Sequence, residues 1–140
     1  MSGGLDRFLQ AQEPTYEAAV RELTAGRKTS HWMWFVFPQI AGLGRSDTAR
    51  YYAIADLDEA RAYLAHPELG ARLRLCVRAL LAHRDKSART ILGSPDDVKL
   101  RSSLTLFEAA SASEDDRRLF AEGLDAFFAG ERDGATLGRL

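Results

Sequence analysis

Along almost the whole chain, apolar residues recur at i, i+3, i+4 and i+7, the spacing that lines one face of an α-helix. Leu5, Phe8 and Leu9 begin a short first helix that Pro14 interrupts or restarts; Tyr16, Ala19, Val20 and Leu23 mark the next, with Gly26 as its C-cap. Asp56 with Glu59 reads as a capping box opening a helix whose buried face carries Leu57, Ala60 and Leu64. His66 and Pro67 close it. Pro67 then suits the first position of a long helix to about Ala82, because its missing N–H would have had no partner there.

Ser94, Pro95, Asp96 and Asp97 repeat that logic with a capping serine, a first-position proline and two carboxylates at the positive end of the helix dipole. The helix they open is expected to run to about Ala110. Ser113, followed by Glu114, Asp115 and Asp116, starts another with a face of Phe120, Leu124, Phe127 and Phe128, and Gly130 terminates it. Asp133 is placed to cap a last turn through Leu140. Strand signals are nearly absent; the one rival, residues 32–37, would be a lone strand without a partner, so a helical or irregular packed segment is expected there. The pattern predicts an all-α fold, a compact bundle of about six to eight helices with non-uniform crossings, forming a single domain over residues 1–140.

Composition agrees with a packed core: 46% of residues are hydrophobic and 28% charged, far from the signature of disorder. With 19 basic and 20 acidic residues the net charge is −1, and neither sign forms a block. That argues against double-stranded nucleic acid as a partner, since a duplex is held through a basic face. The single cysteine excludes an internal disulfide and a multi-thiolate metal site; Cys76 lies in the helical stripe of Leu69, Leu73, Val77 and Leu80 and reads as core. No stretch reaches the apolar length that crosses a bilayer, and the opening Met1, Ser2, Gly3, Gly4 and Leu5 lack the charged and apolar parts of a secretion signal, so a cytoplasmic location is expected and no membrane partner.

Candidate chemistry concentrates in three places. Residues 26–39 hold both tryptophans, Trp32 and Trp34, with Phe35 and Phe37, directly after Arg27, Lys28, Thr29 and Ser30, and before Gln39. Aromatics of this size commonly plug a core, but His31 among them brings a titratable imidazole to an apolar wall, sharing a face with Trp34 and Phe35 if the segment is helical. In the helix after Ser94, Lys99, Ser102 and Ser103 stack an ammonium and two hydroxyls on one stripe, with Asp97 in the first turn and an apolar stripe of Leu100, Leu104 and Phe107 alongside. Gly42, Gly44, Arg45 and Ser46 form a turn before a helix at residues 47–54 that can receive a phosphate, although it is neither a dinucleotide fingerprint nor a P-loop. No metal site is expected: His31, His66 and His83 are not paired at ligand spacing, and His66 and His83 read as capping or surface residues. A serine-hydrolase elbow is missing, and no cofactor is implied.

Several of these segments together carry a resemblance. Asp6 to Leu9 with Gln12, Gly26 to Lys28, Ser30 to Phe35, Phe37 to Gln39, Gly42 to Gly44 with Ser46, Ala49 to Ile54, His66 and Pro67 with Leu69 and Gly70, and Lys99 to Phe107 closely resemble a bacterial family of small domains of unknown function, often mislabelled calpastatin. The resemblance spans nearly the whole chain and implies a mostly α-helical domain, with no activity to carry over. Calpastatin itself is a disordered inhibitor, which this globular composition does not fit. A looser similarity extends to helical domains that act on ADP-ribose derivatives, through a lysine-bearing helix and an upstream aromatic segment; it assigns no residues one by one.

The leading expectation is a pocket domain that binds, and in the stronger form hydrolyses, a small nucleotide-like or ADP-ribose-like ligand. Trp32, Trp34 or Phe37 would stack on a base or sugar; Lys28, Arg45 and Lys99 would meet phosphate; His31 and Asp97 would handle protons with Lys99 beside them; Gln39, Ser46, Ser102 and Ser103 would orient the ligand. The alternative is a non-enzymatic protein-interaction module with the aromatic segment as core. A third reading, single-strand nucleic-acid binding on the tryptophans beside Arg27 and Lys28, is disfavoured by the near-zero charge.

Overall fold

In the computed structural model, which describes residues 3–140, five helices begin where an N-cap side chain accepts a free N–H of the first turn. Met1 and Ser2, the start of the segment read as unlike a secretion signal, lie outside the described residues. Six longer helices are α1 (Gly3–Gln12), α2 (Tyr16–Ala25), α5 (Leu57–Ala65), α6 (Leu69–Leu81), α8 (Asp96–Ala110) and α9 (Glu114–Phe128). Four single turns complete the chain order: α3 (Met33–Val36), α4 (Asp47–Tyr51), α7 (Ala88–Leu92) and α10 (Gly134–Leu137). The long helices match the periodicity; the short turns raise the total to ten among the described residues.

The helix-start expectations fail at two prolines: Pro67 does not open α6, which begins two residues later at Leu69, and Ser94 does not cap α8. Asp56, Ser113 and Asp133 accept the N–H groups of Glu59, Asp116 and Thr136. Gly26 ends α2 with a left-handed φ of 77°, and α9 ends through two successive left-handed residues, Ala129 and Gly130. His66 Nδ1 accepts from the N–H groups of Glu68 and Leu69, so it caps the turn that holds Pro67 and leads into α6. At the start of α8, Pro95 occupies the cap position after a cis Ser94–Pro95 peptide, its carbonyl taking the Val98 and Lys99 N–H groups, and no side chain bonds to the free turn from that position.

The core runs along a line of aromatic rings. Phe8 of α1 meets Tyr63 of α5 edge to face at 5.2 Å, Tyr63 meets Phe107 of α8 at 5.3 Å, and Phe107 meets Phe120 of α9 at 6.0 Å. α8 is the central element, packed most extensively on α9 and then α5, with α7 and α10 also against it. Gln12, buried at the end of α1, donates to the Phe35 carbonyl and the Tyr63 hydroxyl, which ties the aromatic segment to the core. The segment after α3 returns through an isolated parallel bridge between Ile40 and Ile54. Cys76 is fully buried, and desolvation pushes its thiol up to about 12, as a core residue should behave. Among the described residues no helix is long and apolar enough to cross a membrane.

Candidate functional site

The tryptophan segment is held from below by one carboxylate. Glu22 sits on the buried stripe of α2 with Ala19 and Leu23, and its oxygens accept from the Thr29 and Ser30 N–H groups at 2.7 and 3.0 Å, the Ser30 hydroxyl at 2.5 Å and the Trp32 indole N–H at 2.9 Å. Burial alone would raise its pKa, but these donors from Ser30, Thr29 and Trp32 outweigh desolvation and hold it at about 2. The loop between α2 and α3 is further fixed by the Lys28 N–H, which donates to the Ile91 carbonyl of α7 at 2.7 Å. Trp32 is consequently sealed in the core, whereas Trp34, two residues on, is only half-buried.

Two lysines far apart in sequence converge on this segment. Lys28 Nζ lies 2.9 Å from Asp96 Oδ2 and 5.3 Å from the centroid of the Trp32 ring. Lys99 Nζ lies 3.5 Å from Asp96 Oδ1 and 4.7 Å from the centroid of the Trp34 ring. One carboxylate in the first turn of α8 thus serves two ammonium groups, each standing over an indole. The pairing is uneven: the Lys28 side chain is 9% exposed and that of Lys99 22%.

The other residues singled out in the sequence take varied positions. Phe37 is buried and tilted onto Trp32 at 6.3 Å. His31 is exposed, because the helical turn starts only at Met33 and leaves it outside the face of Trp34 and Phe35. Asp97 directs an oxygen to the Val98 N–H at 2.9 Å. Ser102 bonds to Asp133 Oδ2 at 3.1 Å, within a buried knot where Asp133 also receives the Thr136 N–H and hydroxyl and gives its own N–H to Thr105. Ser103, one turn after Lys99 on the same stripe, is buried, and its hydroxyl has no partner among the described residues. Ser46 caps α4 through the Ala49 N–H at 3.1 Å; Arg45 beside it is exposed, and Gln39 is half-buried with its carbonyl accepting from the Ile54 N–H.

Two residues that matter most were missed. Asp96 read as a dipole-stabilising carboxylate, and its lysine partners were beyond the reach of spacing. Glu22 had a visible signal, a carboxylate inside the apolar stripe of Ala19 and Leu23.

Three clefts open elsewhere on the surface. One of about 460 Å3 lies between α1 and α5 beside Asp6, Asp58 and His66; one of about 330 Å3 adjoins Arg74 and Asp116; one of about 440 Å3 runs between α6 and α9 over Leu81 and Leu119. None of the sequence-derived candidates lines any of them. The tryptophan and lysine cluster is therefore a face flanked by aromatic side chains, apart from all three clefts.

Chemically the cluster can hold an anion and stack a flat ring. The Ser30 hydroxyl bonds to Glu22, a carboxylate held at about 2 and so a weak base near neutrality.

The fold and this cluster define an all-α domain with an anchored tryptophan loop set against a lysine-bearing central helix. By sequence the chain belongs to the family described as Protein of unknown function (DUF1810), whose profile matches residues 2–140. It is similar to the conserved hypothetical protein Rv1873 from Mycobacterium tuberculosis, known from a crystal structure at 1.38 Å, with 46% identity, a TM-score of 0.93, and coverage of 97% of this chain and 95% of that one. No curated protein matches the chain.

Proposed function

We propose that this chain is a binding domain for a small anionic ligand that carries a flat ring, nucleotide-like or ADP-ribose-like in chemistry, taken up on the face formed by Trp34 and Lys99. The observation that carries the reading is the Lys99 ammonium over a half-buried indole, with only a 3.5 Å hold on a carboxylate that Lys28 grips at 2.9 Å. A ligand ring would replace the ammonium over the indole, and its phosphate would keep that ammonium as a partner. Trp32 and Phe37 are buried and packed on one another, so neither ring is open to a ligand, and His31 and Arg45 are exposed side chains with no hydrogen bond or ion pair to Trp34 or Lys99 among the described residues. Binding without turnover is the form of the reading this geometry favours, because no strong base faces a nucleophile in the cluster. The protein-interaction alternative draws less support: the exposed large apolar residues Tyr51, Leu75, Val98, Leu137 and Leu140 are distributed over α4, α6, α8 and the C-terminal turn.

The test is a titration with AMP and ADP-ribose followed by tryptophan fluorescence. Saturable quenching is expected in the unaltered protein and its loss in Lys99→Ala, with a melting temperature within a few degrees; for Trp34→Ala, which lacks the reporting indole, calorimetric titration is expected to show the same loss of affinity. Equal affinity in both variants would refute the assignment.

A further inference from the structure

Resting on that ligand-binding reading, we infer that Asp96 is a built-in competitor for the ligand's phosphate and limits the site to one phosphoryl group. The cluster carries two ammonium groups and one bridging carboxylate, so a single positive charge is left over for an incoming anion. The two lysines are not equivalent in their claim on Asp96. Lys28 is the more deeply buried and the closer, and its backbone N–H is tied to Ile91, so it stays with the carboxylate. Lys99 is the more exposed and lies at 3.5 Å, beyond the usual range of a charge-assisted hydrogen bond. It is the cation free to turn to a ligand.

A first phosphate exchanges the loose contact of Lys99 with Asp96 for a direct one. A second phosphate finds no further uncommitted ammonium in the cluster and approaches the negative charge of Asp96 itself, with the other first-turn carboxylate of α8, Asp97, next in sequence. Repulsion at that range offsets what added contacts contribute. Asp96 is a specificity residue in this arrangement, acting on the ligand through charge and through the position of Lys99.

The experiment compares adenosine, AMP, ADP and ATP in the unaltered protein and in Asp96→Asn, by tryptophan fluorescence at fixed ionic strength. In the unaltered protein AMP is expected to bind about tenfold or more tighter than adenosine, with ADP and ATP within about threefold of AMP. In Asp96→Asn each added phosphate is expected to tighten binding by about three- to tenfold. Unaltered protein whose affinity climbs about tenfold with every phosphate would overturn the inference while leaving the binding reading intact. So would an Asp96→Asn series parallel to the original. Absence of quenching by all four ligands would instead remove the binding reading, and this inference with it. If Asp96→Asn does not fold, the ligand series on the unaltered protein decides alone.

Discussion

The buried indole of Trp32 donates its N–H to Glu22 Oε1 at 2.9 Å, across ten positions of sequence. An indole N–H is donor-only, and leaving it unpaired in the core would cost on the order of 1–3 kcal/mol. The same carboxylate also fixes the loop amides of Thr29 and Ser30, so one residue of α2 decides both that Trp32 is core and where the chain turns toward Trp34.

Acid should weaken the fold through Glu22. Its pKa is about 2 when folded against an ordinary 4.5, so the unfolded chain takes up a proton first. The stability it contributes is complete above the ordinary value and is lost as pH falls from about 4.5 towards 2. The linked loss is about 3 kcal/mol. Asp116 and Asp133 are also held low: Asp116 mainly by its bond to Arg74, with burial opposing, and Asp133 because desolvation, the largest single effect, is outweighed by the bonds from Thr136 and Ser102 together with the charge of Arg101. Glu22→Gln, which imitates the protonated form, should be less stable at pH 7 and should converge with the unaltered protein near pH 2. Urea unfolding across this range checks it; parallel profiles would show that Glu22 contributes nothing to the acid limb.

The two tryptophans should separate cleanly on substitution. Trp32→Ala opens a cavity and removes one of the four donors to the Glu22 carboxylate, with an expected loss of about 3–5 kcal/mol. Trp34→Ala removes a half-buried ring and one cation–π contact, for about 1–2 kcal/mol. Chemical denaturation of both variants tests the contrast, and comparable losses would mean that Trp34 is as much a core residue as Trp32.

What could be read from the sequence was local. Asp56, Ser113 and Asp133 were legible as caps because each acts on an N–H three residues away, and Gly26 was legible because a left-handed terminator favours glycine. Ser94 failed by the same standard, since a serine before proline offers a cap only if the turn admits it, and here Pro95 stands in that position. The meeting of Trp34 with Lys99 was anticipated only as a requirement. Nothing in spacing says that the Trp34 ring of α3 meets Lys99 of α8, because α3 is placed by its packing on α1 and α6. His31 was misplaced for a simpler reason: the helix assumed for it begins two residues later.

Adjacent serines on α8 should respond in opposite directions. Ser102 gives its hydroxyl to Asp133, whose carboxylate also caps α10, so Ser102→Ala should cost about 1–2 kcal/mol and speed proteolysis of the C-terminal turn. Ser103 buries a hydroxyl with no partner among the described residues, and Ser103→Ala should be neutral or stabilising by about 1 kcal/mol. Melting curves of the two variants check the sign; a destabilised Ser103→Ala would indicate that its hydroxyl is paired in solution.

Gly70 supplies the sharpest packing test. It lies near the start of α6, where alanine would ordinarily favour the helix by about 1 kcal/mol. A Cβ there would stand 2.2 Å from the Leu64 carbonyl oxygen at the end of α5, a backbone atom that cannot swing aside. The two helices would have to part, and α5 and α6 are in direct contact at this end of the core. Overpacking of this kind costs roughly 1–3 kcal/mol or more, which exceeds the propensity gain. Gly70→Ala should therefore lower the urea midpoint. The control is Gly134→Ala in α10, where a Cβ meets nothing within 4 Å and little change is expected. A Gly70→Ala protein as stable as the control would show that the approach of α5 to α6 is looser than the 2.2 Å contact demands.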